Sequence, residues 1–140
     1  MFGSGHSKPQ NRIDSLIGAG TRIVGDIHFT GGLRVDGEID GSIIAAPGKP
    51  STLVLSEHAR VNGEVNVTHL VVNGVVTGPV KVAEYLELQS KSKVAGDVHY
   101  KTLEIQLGAV VEGRLIHLAE NSEKVVAFKL SNDESNVEVP

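Results

Sequence analysis

The sequence predicts an all-β fold: a right-handed parallel β-helix, a solenoid of about six turns with a triangular cross-section and flexible tails at both ends. Three observations lead there. One pentad, apolar-x-Gly-x-apolar, recurs six times along 140 residues. Each copy is flanked by apolar-x-apolar pairs at matching offsets. All of these sites alternate with period two, the period of a strand, and no helical stripe is sustained. Regular return of one short pattern means a coil of near-identical turns, in which each turn packs only on its neighbours.

The pentads are Ile23-Val24-Gly25-Asp26-Ile27, Ile39-Asp40-Gly41-Ser42-Ile43, Val61-Asn62-Gly63-Glu64-Val65, Val76-Thr77-Gly78-Pro79-Val80, Val94-Ala95-Gly96-Asp97-Val98 and Val111-Glu112-Gly113-Arg114-Leu115. Their glycines form a structural column, Gly25, Gly41, Gly63, Gly78, Gly96 and Gly113, with steps of 16, 22, 15, 18 and 17 residues. A glycine accepts dihedrals and close backbone approach that a β-carbon forbids, so the column is read as a bend at one corner of the tube. Before each pentad stands a pair such as Leu33-Val35, Leu53-Leu55, Leu70-Val72, Leu86-Leu88 or Leu103-Ile105; after it stands Ile27-Phe29, Val65-Val67, Val80-Val82 or Val98-Tyr100. Three short strands per turn give the triangle. The long 22-residue step contains Ala45-Ala46-Pro47-Gly48-Lys49-Pro50-Ser51, read as a surface loop inserted at a corner. The left-handed form needs an aliphatic residue at every sixth position. Counting from Ile17 the series fails at Gly41 and Pro47, and from Val61 at Asn73 and Pro79, which favours the right-handed form.

Texture divides the chain into three zones. Residues 1–15 lack periodicity and form an N-terminal tail, residues 16–119 carry the coil, and residues 120–140 form a mostly disordered acidic tail. Within the last zone Val125-Val126-Ala127-Phe128-Lys129-Leu130 is an apolar stretch of strand length.

Composition removes several function classes. Net charge is -4 and aromatics make up 4%, so neither a basic field nor a stacking platform for nucleic acid exists. There is no cysteine, hence no disulfide or thiolate metal site. No apolar run reaches the length of a membrane span, and the N-terminus has no signal-peptide core. A phosphate-binding G-x-x-x-x-G-K-[ST] loop is absent, so no nucleotide is expected. His28 and His99 share an outward column but lie four turns apart, roughly 19 Å by rung spacing; the six histidines are read as surface residues and no metal site is assigned. The columns beside the glycines place no two acids on adjacent turns. Glu87 and Glu104 do adjoin and are read as solvated, so no catalytic pair and no cofactor are assigned.

The ends of such a tube are its chemistry. Each exposes a strand edge and an apolar cross-section, which proteins ordinarily cover. No amphipathic capping helix precedes Ile17 or follows Leu118. Another copy of the same chain is therefore the expected cover, with Ile17, Ile23, Leu103, Ile105, Val111, Leu115 and Phe128 as the polymer interface.

The V-x-G-x-[VI] turns, the opening Met1-Phe2, the start of the coil near Ile13–Ile17 and the polar tails together resemble the bactofilins, over roughly residues 13–118. The resemblance implies a right-handed β-helix that polymerises without nucleotide into cytoskeletal filaments, head to head and tail to tail, so that the filament is non-polar. It also implies a cytoplasmic scaffold, peripheral on the inner face of the cytoplasmic membrane, that helps set cell shape and localises cell-wall enzymes. Met1 and Phe2, with Lys8 and Arg12, match the membrane-targeting segment of such proteins. Two other classes stand beside this scaffold: a trimeric acyltransferase-like enzyme, for which the hexad is missing, and a dimeric β-helical regulator of cell division.

Overall fold

The computed structural model describes residues 12–119, which wind into six stacked rungs of parallel strand, with no helix among them. Each rung contributes to three faces. The first face holds Ser15–Ile17, Gly31–Val35, Ser51–Leu55, the latter parts of Val65–Val72 and Val80–Leu88, and Thr102–Ile105. The second holds Arg22–Val24, Glu38–Asp40, Arg60–Asn62, Val75–Thr77, Lys93–Ala95 and Val110–Glu112, paired in chain order. The third holds Ile27–Phe29, Ile43–Ala45, the early parts of Val65–Val72 and Val80–Leu88, Val98–Tyr100 and Leu115–His117.

Stacking makes the periodic residues of the sequence into ladders. On the first face Leu33, Leu53, Leu70, Leu86 and Leu103 are register partners, rung on rung. On the second, Ile23, Ile39, Val61, Val76, Val94 and Val111 stack likewise. On the third the ladder is Ile27, Ile43, Val65, Val80, Val98 and Leu115. The ladders meet in the lumen, where the core side chains are 0–3% exposed. Each such side chain contributes roughly 1.5–3 kcal/mol by leaving water, and β-branched residues fill a pleated wall with little rotamer loss.

The glycine column sits at the corner between the second and third faces, and its need is steric. A β-carbon on Gly63, whose φ is +157°, would lie 2.2 Å from the carbonyl oxygen of Gly41 one rung earlier. Gly41, Gly78, Gly96 and Gly113 each meet the preceding glycine in the same way, whereas Gly25 on the first rung has open space beside it. Next to the glycines, side chains reach along the tube. Asp26 Oδ1 accepts from the Ser42 amide at 2.9 Å, Ser42 Oγ from the Glu64 amide at 3.1 Å, and Asp97 Oδ1 from the Arg114 amide at 3.0 Å.

The corner between the first and second faces has two sizes. Gly18–Thr21, Ser56–Ala59, Gln89–Ser92 and Gln106–Ala109 are four-residue turns, each closed by an amide-to-carbonyl bond of 3.0–3.2 Å between its last and first residues. On the second and fourth rungs two residues suffice, Asp36-Gly37 and Asn73-Gly74. These short corners tuck under the preceding long turn: a β-carbon on Gly74 would lie 2.4 Å from the Ser56 oxygen. Long and short corners, not drift in the repeat, account for the 16- and 15-residue glycine steps. The 22-residue step combines a long corner with the inserted loop, which occupies 46–50. That loop is shorter than the sequence suggests, because Ala45 closes one strand and Ser51, 1% exposed, opens the next. Ser51 exchanges bonds with Thr68: each amide donates to the other's side-chain oxygen, at 2.6 and 3.1 Å.

Gly63→Ala is expected to lose about 3 kcal/mol in chemical denaturation, from overpacking against Gly41 added to backbone strain. Gly18→Ala, with nothing within 4 Å of its added carbon, should change stability by less than about 0.5 kcal/mol. Equal effects at the two sites would mean that the column does not stack as described.

Candidate assembly ends of the coil

Every fully buried aliphatic residue among the described residues lies between Leu33 and Val98, in the second to fifth rungs. The first and sixth rungs carry the same inward residue types, but nothing among the described residues covers them. On the first rung Ile17, Ile23, Ile27 and Phe29 are half-buried, packed on the core from one side only. On the sixth, Leu103 and Val111 are half-buried, while Ile105 and Leu115 are 48% and 44% exposed. Around these rims stand further exposed aliphatics: Leu16 and Val24 at the first rung, Leu107 and Val110 at the sixth. The backbone is equally unfinished. Amides such as those of Gly41 and Ile43 donate to the following rung, to Asn62 and Glu64, at 3.0 and 2.8 Å, and on the sixth rung the equivalent groups have no following rung to meet.

The structure thus sorts the sequence-derived interface residues onto two opposite ends, Ile17 and Ile23 on one and Leu103, Ile105, Val111 and Leu115 on the other. Phe128 and the segment Val125–Leu130 lie outside the described residues, as do Met1, Phe2 and Lys8. Arg12 is described: its Nε donates to Asp14 Oδ1 at 2.9 Å in an exposed pair.

The flanks of the tube are tied by polar bonds. Asp40 accepts from the Asn62 amide nitrogen and from Arg22, which hold its carboxyl below the usual range. The Arg114 guanidinium and backbone do the same for Asp97. The Tyr85 hydroxyl donates to Glu104, which together with partial burial raises its pKa to about 12. Two readings of the sequence need correction. Glu87 is half-buried instead of solvated, since it accepts bonds from Gln89 and Gln106 at 3.0 and 3.2 Å. His69 is 7% exposed and not a surface residue; its Nδ1 lies 3.0 Å from Thr68 Oγ1, beside Ser51, in a polar corner of the first and third faces. Among the described residues no cluster of three His, Asp or Glu side chains could hold a metal ion. No helix among them is long and apolar enough to cross a membrane.

Sequence reasoning did not find the polar corner of Ser51, Thr68 and His69, nor the alternation of corner lengths. A signal for the second existed in Asp36-Gly37 and Asn73-Gly74, two turn dipeptides directly after an apolar pair.

No curated protein matches the sequence significantly. Among solved structures the coil resembles a bactofilin from Thermus thermophilus, seen by cryo-electron microscopy in double helical filaments. The two are 24% identical with a TM-score of 0.60, over 71% of this chain and 96% of that one. The bactofilin family model, described as polymer-forming cytoskeletal, matches residues 15–116, from the first strand of the first rung to the last strand of the sixth. That match takes in all six rungs, and the chain belongs to the bactofilin family.

Proposed function

We propose that this chain is a structural subunit, not an enzyme, that polymerises end to end without nucleotide into non-polar filaments in which like ends meet. The observation that carries the reading is the contrast between rungs: ladders that are 0–3% exposed in the middle of the tube are open to solvent at both ends. Burying a half-exposed aliphatic side chain contributes roughly 1 kcal/mol. Four or five such residues from each partner give on the order of 8–10 kcal/mol, which only matches the 4–15 kcal/mol that association costs. The strand edges therefore decide the outcome, since a second copy can satisfy donors and acceptors along all three sides of the triangle. Mating of identical ends is self-complementary by symmetry. Phe128 is a further contact at one of these ends. Filament formation by the Thermus relative supports polymerisation as such.

The filament is peripheral on the inner face of the cytoplasmic membrane, held by Met1 and Phe2 in lipid and by Lys8 and Arg12 at the surface. One Phe and one Met contribute a few kcal/mol at best, so a lone subunit binds weakly and a filament binds by multiplicity. The exposed Arg12–Asp14 pair is weak enough to exchange for a lipid phosphate. So placed, the polymer serves as a cytoplasmic scaffold for cell shape and for localising cell-wall enzymes.

Filaments are expected from purified protein in negative stain with no nucleotide added; compact particles alone would end the proposal. Ile23→Asp and Leu115→Asp each block one end. If like ends meet, light scattering finds dimers for either single variant and monomers for the double variant. A head-to-tail polymer would instead give monomers from each single variant. Deleting residues 1–8 should abolish co-sedimentation with phosphatidylglycerol vesicles while leaving filaments intact. Undiminished co-sedimentation would remove the tail from membrane binding.

A further inference from the structure

We propose that residues 127–129 add a seventh strand to the second face of their own subunit, with Phe128 laid on Val111 as the last member of that ladder. The consequence for assembly rests on the filament reading above: this is the last strand that the sixth-rung end presents.

The offset between the fifth and sixth rungs is the same on all three faces. Leu86 pairs with Leu103, Val94 with Val111 and Val98 with Leu115, 17 residues apart each time. A further 17 residues lead from Val110, Val111 and Glu112 to Ala127, Phe128 and Lys129. Phe128 therefore falls on the inward ladder of the second face. So large a ring suits only the end of a ladder, where no later rung must stack on it at roughly 4.8 Å. There it covers Val111, which the described rungs leave half-buried.

Charge and backbone agree with this register. Lys129 comes to lie beside the exposed Glu112, an opposite-charge pair between neighbouring rungs like that of Asp97 with Arg114. The Gly63, Gly78 and Gly96 amides each donate to the residue that closes the second-face strand of the next rung, Thr77, Ala95 and Glu112, at 2.8–2.9 Å. The Gly113 amide finds the same acceptor in the Lys129 carbonyl. In return the Ala127 amide donates to the Ala109 carbonyl, as Val110 does to Ser92 at 3.0 Å.

The same offset limits the seventh rung to this one strand. On the first face Leu103 and Ile105 are followed by Glu120 and Ser122, which cannot extend an apolar ladder. At the glycine corner Gly113 is followed by Leu130. A β-carbon on Gly113 would already lie 2.1 Å from the Gly96 oxygen, so the next step of that column has no room for a leucine and the strand stops at Lys129. Residues 119–126 only connect. They leave the tube beside Leu118, whose amide donates to Tyr100 at 2.7 Å. Eight extended residues reach about 26 Å, against about 17 Å along a five-residue strand of the first face. An offset of 15, the step from Gly63 to Gly78, serves less well: it sets Val126 on Val111 but puts Phe128 at the glycine corner and Ala127 beside Glu112. A second copy that docks on this end meets Phe128 on one side of the triangle and sixth-rung edges on the other two.

The chain has no cysteine, so introduced pairs read the register directly. Residues directly opposed on adjacent strands lie about 4.8 Å apart, within disulfide range, whereas a residue two places along lies about 8 Å away, beyond it. Glu112→Cys with Lys129→Cys, oxidised by glutathione disulfide in dilute full-length protein, should close a disulfide within one chain. Glu112→Cys with Ala127→Cys should give at least about tenfold less. Adding Phe128→Asp to the first pair should lower its yield by a similar factor. A disulfide only between chains, an equal or greater yield from the Ala127 pair, no disulfide from either pair, or a yield unmoved by Phe128→Asp would each overturn the seventh strand. A disulfide within the chain of a protein that forms no filaments would keep the strand and overturn the reading of this end as a mating surface.

Discussion

Inter-rung hydrogen bonding, with its fixed spacing of roughly 4.8 Å, is the constraint on which everything else in this molecule depends. Because each rung must lie that close to the next, only a residue of similar shape can follow another in the same inward column, and Leu33, Leu53, Leu70, Leu86 and Leu103 stack as one ladder. The same closeness leaves no room for a β-carbon where the backbone turns inward, which is why Gly63 faces the Gly41 oxygen. It also lets a carboxylate reach the next rung's amide, as Asp97 does at Arg114. And because the spacing is satisfied only by a neighbour, the first and last rungs inherit its full cost. Regularity creates the two ends; it supplies nothing to close them.

The parts of the fold written in period two were legible. Residues that alternate within a strand and repeat at a fixed offset from the glycine fell into the expected columns, because both properties are set by the backbone alone. What the pattern hid was governed by corners. Three consecutive residues, Thr68, His69 and Leu70, span one corner with the latter two buried. Alternation lapses there, so a buried histidine reads as an outward one. Glu87 misled for a related reason: its solvation is set by Gln89 and Gln106, one on its own rung and one on the next, and such lateral bonds leave no trace in spacing along the chain. Step lengths of 16 and 22 residues mixed two causes, corner size and an inserted loop, which a single running distance cannot separate.

The candidate site was legible in an unusual way. Enzymes concentrate chemistry into a few residues whose spacing announces them, whereas here the residues at the ends are of the same types as those in the core. Ile23 and Val61 occupy equivalent positions in one ladder, yet the first is half-buried and the second is 0% exposed. Nothing in either residue marks the difference; only its rung does. Position in the repeat, rather than residue identity, separates the covered side chains from the open ones.

That distinction bears on why the flanks are polar and the ends are not. A rod that polymerises through its ends, as proposed above, must avoid sticking by its sides, or it would collapse into tangles before it could extend. The outward columns meet this need with short-range pairs, Arg22 with Asp40 and Arg114 with Asp97. With the Asn62 bond added at Asp40, these partners hold both carboxyls below the usual carboxylate range. Ion pairs completed within one subunit leave little charge for an unspecific neighbour, and exposed pairs of this kind add little stability of their own. Their contribution is to orientation: they confine the apolar surface to the two cross-sections, where the open backbone edge requires strands to arrive in register.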